Sequence, residues 1–147
     1  MIRVGAYFQE DFDMLDIANI EHIGNLDDLR PLISPEHSRT GWLEGRLVAA
    51  AGVVPLWQGV GQGWVLVDKT NTEKLALCRA MRRGMRDIVA NGPFHRVQAD
   101  VKTSYKQGQK FLKMLGFVYE GPLWAFTSDG EDYERYSFIS RNLVMGA

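Results

Sequence analysis

Cysteine is almost absent: Cys78 stands alone in 147 residues. An intrachain disulfide is therefore excluded, and with it any fold that depends on such bridges. Histidine is scarce too. His22, His37 and His95 lie far apart, no Cys/His cluster has ligand spacing, and no metal is expected. Long apolar runs are also missing. The longest, 47–57, is broken by Gly52 and Pro55 and falls short of a membrane span. The start, Met-Ile-Arg-Val-Gly, lacks the basic residues and long apolar core of a signal peptide. These absences predict a cytoplasmic setting and no membrane association.

What is present is ordinary in proportion and uneven in placement. At 46% hydrophobic and 24% charged, the chain has the composition of a globular protein. It shows no linker, repeat or low-complexity stretch, so residues 1–147 are expected to form one domain with a real core. The net charge is −1. Residues 1–37 nevertheless hold eight acidic against two basic residues, and 69–113 hold eleven basic against three acidic. The basic stretch suits a polyanionic ligand, and it equally suits the solvated side of two helices.

The chain is organised around residues 63–117. The run Trp64–Val67 reads as a strand, and the Thr70-x-x-Glu73 pair reads as a capping box that predicts a helix from about Asn71. At ~100° per residue, Leu77, Met81, Met85 and Ile88 then share one side, opposite Arg79, Arg82, Arg83 and Arg86. Asn91-Gly92-Pro93 ends that helix. His95 to Val101 alternates as a strand, Ser104 and Gln107 form a second capping box, and Gly108, Phe111, Leu112 and Leu115 share a helical face closed by Gly116. Upstream, Ile2, Val4 and Ala6 mark a first strand, and 9–17 and 26–30 mark short helices. Thr40–Leu43 and the apolar Arg46–Pro55 form a hairpin about Glu44-Gly45, the second strand being central and buried on both faces. Gly52 within it suggests a bulge or a close backbone approach, and the Gln58–Gly63 run reads as a flexible hairpin loop. Downstream, 117–126 and 133–139 form a terminal hairpin.

This order of elements, with Phe111-Leu112-Lys113-Met114-Leu115-Gly116-Phe117 ending the last helix and Glu120-Gly121 beyond it, resembles the GNAT superfamily of acetyl-CoA-dependent N-acetyltransferases. The resemblance covers nearly the whole chain. It implies an α/β (α+β) fold with a mixed, mostly antiparallel central sheet and helices on both faces. It also implies that the strand at Trp64–Val67 pairs through its backbone with the pantetheine arm of acetyl-CoA. That strand would splay from the one at His95–Val101 and open a V for cofactor and acceptor amine. A closer likeness is to the GNAT-like proteins of tailed phages, including internal virion proteins, which share the Phe-Leu-Lys-x-x-Gly ending and the loss of a glycine-rich turn. That likeness implies the host cytoplasm or a virion interior as the setting.

On this resemblance Leu66, Val67, Lys69, Thr70, Asn71 and Thr72 are the expected cofactor-binding residues. A strand-to-helix turn offers free N–H groups to a pyrophosphate. The sequence departs from the family there. Residues 69–74 contain no glycine, the capping box uses up two donors, and Glu73 brings a negative charge. Tyr105 stands where the family often has Asn, and Leu112 where it often has a general-acid Tyr. Leucine cannot protonate a leaving thiolate. Tyr105 and Tyr119 are possible substitutes, and Asp68 and Glu44 are the candidate bases. Of these, Tyr105 and Asp68 are the expected catalytic residues. Three readings follow. One is an N-acetyltransferase using acetyl-CoA and an amine, and another is a non-catalytic scaffold binding a phage or host protein. The third, a nucleic-acid binder, is disfavoured because the basic face has no aromatic stacking set.

Overall fold

A chain with one long apolar strand and two one-sided helices must bury the sheet between helical layers. The computed structural model, which describes residues 2–15, 20–24, 26–70 and 73–140, shows that solution. Its elements are β1 (Ile2–Ala6), α1 (Asp11–Met14), β2 (Ile20–Ile23), α2 (Leu26–Leu29), β3 (Ser38–Leu43), β4 (Arg46–Trp57), β5 (Val60–Asp68), α3 (Lys74–Asn91), β6 (Arg96–Lys102), α4 (Lys106–Met114), β7 (Val118–Leu123) and β8 (Tyr133–Ile139). Short 3-10 turns at Arg30–Leu32 and Pro35–His37 lead into β3. The strands form one sheet in the order β1-β3-β4-β5-β6-β8-β7, with β2 paired to β5 off that path. Among the described residues only the β5–β6 pair is parallel, so the sheet is mixed and mostly antiparallel.

Helices cover both faces. On one, Met85, Ile88 and Val89 of α3 and Leu112 of α4 pack with Val65, Val97, Ala99 and Val101. On the other, Leu15 and Leu29 from the region of α1 and α2 close over Leu47, Ala50, Val54, Trp64 and Leu66. The stripe expected on α3 is the buried one, and Arg79, Arg82 and Arg83 face outward. The four tryptophans divide. Trp64 is fully buried and Trp42 is half-buried with Arg3 over its ring, whereas Trp57 and Trp124 are 64% and 73% exposed.

The glycines separate turns from close approaches. Glu44 and Gly45 both have positive φ, as a two-residue hairpin between twisted strands requires. At Gly52 a Cβ would lie 2.6 Å from the His37 carbonyl oxygen, so β4 carries glycine because backbone passes against it. The Gln58–Gly63 run is not a flexible loop throughout. The turn is confined to Gln58 and Gly59, and Gly61 and Gly63 lie inside β5. Gly61 belongs there because an added Cβ would sit 2.2 Å from Val53 Cγ1.

Neither expected capping box forms. The residue before α3 is Glu73 and the residue before α4 is Tyr105, and neither helix start has a side-chain cap hydrogen bond. At α3 the reason is Asp68. Its Oδ1 accepts from the Thr70 N–H at 2.9 Å and from the Thr70 hydroxyl at 2.7 Å. These bonds hold Thr70 in a turn ahead of the helix, and the cap position falls at Glu73 instead.

Candidate functional site

The site begins where β5 and β6 part. Their parallel pairing is limited to Val60↔Arg96, Gly61↔Val97 and Gln62↔Gln98. Beyond it the strands splay and leave the V that the resemblance implies.

A chain of buried polar side chains holds the root of the V. The amide of Gln98 donates to Gln62 Oε1 at 3.2 Å, and Gln62 Nε2 donates to Asp100 Oδ2 at 3.1 Å, across the point where backbone pairing stops. Arg135 on β8 closes on Asp100 with two bonds, Nε to Oδ1 at 2.8 Å and Nη2 to Oδ2 at 3.1 Å. Arg96 donates from Nε to Gln98 and from its Nη atoms to the carboxylate of Glu120 on β7, which also accepts from the Ser137 hydroxyl at 2.7 Å. Four strands are thus tied side by side at one level of the sheet.

The Arg96 guanidinium, with help from Ser137, brings the Glu120 carboxyl down to about 2 against a partial opposing effect of burial. Because the folded-state value lies below the unfolded one, the stabilisation is fully present above about pH 4.5 and is lost as pH falls toward 2. Glu120→Gln is expected to cost about 1 kcal/mol at pH 7, the exposure of the pair screening the rest. Urea melts of the variant should also weaken less than wild type between pH 4.5 and 2. Parallel pH profiles would refute that account.

Two cavities flank the open part of the V. The first, about 340 Å³, is apolar and lies between β5, the start of α3 and the length of α4. Val65, Val67, Leu75, Phe111 and Met114 line it, with Lys74 and Lys110 among its polar residues. Cys78 lies on its wall, and burial pushes the thiol up while Lys74 opposes that. The second, about 360 Å³, lies on the β6 side and has more polar and charged side chains in its wall, among them His22, Asp100, Lys102, Ser104, Tyr105 and Tyr133.

The expected residues fall as follows. Tyr105 reaches both cavities, its ring packed so closely on α4 that a Cβ on Gly108 would lie 2.5 Å from it. Val67 lines the apolar cavity, whereas Leu66 points to the opposite face and is buried beside Trp64. Lys69 and Thr70 are exposed, and Asn71 and Thr72 lie outside the described residues. Asp68 is buried and fully engaged, accepting both Thr70 bonds and the Arg46 Nη1 at 2.6 Å. Burial alone would raise its carboxyl, but these bonds outweigh it and hold the group below its ordinary range. Glu44 is exposed in the β3–β4 turn and lines neither cavity, and Tyr119 is exposed on β7. Leu112, in place of a general-acid Tyr, is buried in the core.

Two parts of the site have no counterpart among the sequence expectations. One is Asp100 with its clamp. The other is β2, which lies in the mouth of the V and pairs antiparallel with β5: Ile20↔Asp68, Glu21↔Val67, His22↔Leu66 and Ile23↔Val65. His22 and Ile23 line both cavities, so β2 forms the wall between them. Among the described residues no group of three or more His, Cys, Asp or Glu is placed to hold a metal. No described helix is long and apolar enough to cross a membrane.

A splayed parallel pair inside a mostly antiparallel sheet, with helices on both faces, is the architecture of GNAT-family acetyltransferases. Among solved structures the chain is similar to Ard1 from Thermoplasma volcanium, with a TM-score of 0.75 at 16% identity over 94% of this chain and 97% of that one. It is similar to a GNAT-family acetyltransferase from Bacillus anthracis, with a TM-score of 0.72 at 12% identity and 95% of each chain covered. It also matches Mycobacterium smegmatis RimJ in complex with CoA-disulfide, with a TM-score of 0.63 at 17% identity over 73% of this chain and 55% of that one. At these identities the likeness is one of fold. No protein-family model and no curated protein matches the sequence.

Proposed function

We propose that the protein is an acetyl-CoA-dependent N-acetyltransferase that acts on an amine. The observation that carries this reading is the splayed β5–β6 pair with an apolar cavity on one side and one with Asp100, Lys102 and Ser104 in its wall on the other, both touched by Tyr105. When bound, acetyl-CoA supplies an activated acetyl thioester. RimJ, of the same fold, was solved with a CoA-disulfide, which supports a CoA-type ligand here.

The groove fits such a ligand through its side chains. Its apolar wall of Val65, Val67, Phe111 and Met114 excludes water along an extended arm. Lys74 places a cation at the start of α3. The β5 backbone does not fit it in this conformation, because the edge that would take the arm is bonded to β2. Tyr105 is the proposed proton donor, since its side chain reaches both cavities. Asp68, engaged by three hydrogen bonds and held in its charged form, is proposed to position the turn rather than to accept a proton.

The occupied edge favours a second reading, a non-catalytic GNAT fold of the kind that the sequence resembles in phage virions, serving as a scaffold for a phage or host protein. Calorimetric titration with acetyl-CoA separates the two. Binding in the micromolar range is expected for the enzyme, and no heat at millimolar ligand would eliminate it.

A further inference from the structure

The backbone of β5 from Val65 to Val67 is paired on both sides. Residues Ala49–Ala51 of β4 occupy one edge and Glu21–Ile23 occupy the other. An extended ligand that pairs with β5 needs that second edge free, and β2 already has the strand geometry such a ligand would adopt. We propose that β2 is a displaceable strap, an internal stand-in for the ligand's backbone, which must leave the β5 edge before a CoA-type molecule can bind. The inference rests on the acetyl-CoA reading above.

Three features favour displacement over permanent pairing. First, β2 is four residues long and has a ladder only to β5; on the β6 side it borders the 360 Å³ cavity instead of another strand. Such a strand is held by few bonds, as expected of segments that open at low cost. Second, it ends at Gly24, whose φ of 104° is a conformation open mainly to glycine, so the chain can change direction there. Third, β2 separates the two cavities. Transfer needs reacting atoms about 3–3.5 Å apart, so a hydrogen-bonded strand between donor and acceptor spaces is incompatible with it. Ile23 anchors the strap: it is 4% exposed and packs in the core with Val65, Val101 and Leu112.

The energetic consequence is a reduced apparent affinity. If the strap is closed in 90–99% of molecules, CoA binds about 10- to 100-fold more weakly than to the open form.

A tether tests this. Glu21 and Val67 are directly opposed, and antiparallel partners have Cα separations of about 4.5–5.5 Å, within the range of a disulfide. In a Cys78→Ser background, Glu21→Cys with Val67→Cys would lock the strap when oxidised and free it when reduced. Acetyl-CoA, which has no free thiol to open the bridge, should bind the reduced protein when titrated calorimetrically, and at least about 10-fold more weakly or not at all the oxidised one. Ile23→Ala, which loosens the anchor without a crosslink, should tighten CoA binding. Hydrogen exchange supplies a readout independent of activity: the amides of 20–23 should lose protection when CoA is added to the unmodified protein. Equal CoA affinity in oxidised and reduced forms, or unchanged protection of 20–23, would overturn the strap and leave the acetyl-CoA reading intact. Absence of CoA binding to wild type, reduced protein and Ile23→Ala alike would overturn both.

Discussion

Asp100→Ala is expected to destabilise the protein by about 3 kcal/mol, at the low end of the range for removing one partner of a buried ion pair. Asp100 is 5% exposed and accepts three hydrogen bonds, two from Arg135 and one from Gln62. Deleting the carboxylate leaves a guanidinium and a buried amide facing an empty space. The Arg135 side chain retains 29% exposure, so part of its charge is rehydrated and the upper end of the range is not reached. Asp100→Asn keeps the shape and some of the bonds but loses their charge assistance, and should cost about half as much. The comparison is made by urea unfolding. The clamp account also requires faster hydrogen exchange at the amides of 60–62 in the alanine variant, where the β5–β6 pairing ends. A loss below about 1 kcal/mol with unchanged exchange would show that the backbone ladder alone holds the V together.

Trp64→Ala should cost more, about 3–5 kcal/mol, the range for emptying a large aromatic site. Trp64 is 0% exposed, packs edge-on against Tyr7 with ring centroids 5.9 Å apart, and joins Leu29, Ile33 and Leu66 in the core of the α1–α2 face. A net stability of about 5–15 kcal/mol is typical of domains, so this one change brings the protein near its unfolding threshold. Trp64→Phe is the informative partner. The indole Nε1 is buried without a hydrogen-bond partner, so phenylalanine forfeits no bond and should lose only volume, about 1–2 kcal/mol. Denaturant midpoints for the two variants should therefore differ widely. Equal losses would mean that the indole nitrogen has a stabilising partner after all.

Most of the architecture was readable from the sequence because most of it is built from long, regular signals. The apolar run of β4, the Glu44-Gly45 turn, the leucine and methionine stripe of α3 and the terminal hairpin each carry their pattern within a few residues. What escaped is non-local. The four residues of β2 are too few to show a period, and their partner lies some forty-five positions away. Asp100 escaped for a related reason. On β6 it alternates with Val97, Ala99 and Val101, which suggests a solvent-facing position, yet Gln62 and Arg135 reach over and bury it. At α3 a local pattern is overruled by a neighbour: Thr70 has the right spacing to Glu73, but its bonds to Asp68 hold it in a turn ahead of the helix, whose cap position is Glu73. Within the expected site, Tyr105 and Val67 reach the cleft, while Leu66 misses it because successive strand residues face opposite ways.

The pairing of β2 with β5 has a consequence for solubility as well as for ligands. A V left open would present the edge of an apolar strand, Val65-Leu66-Val67, to any other extended chain in solution. Unpaired edges of this composition recruit strands from other molecules and seed association. With β2 in place, the protein carries its own cover over that edge. A ligand that replaces β2 would take over that protective duty along with the space.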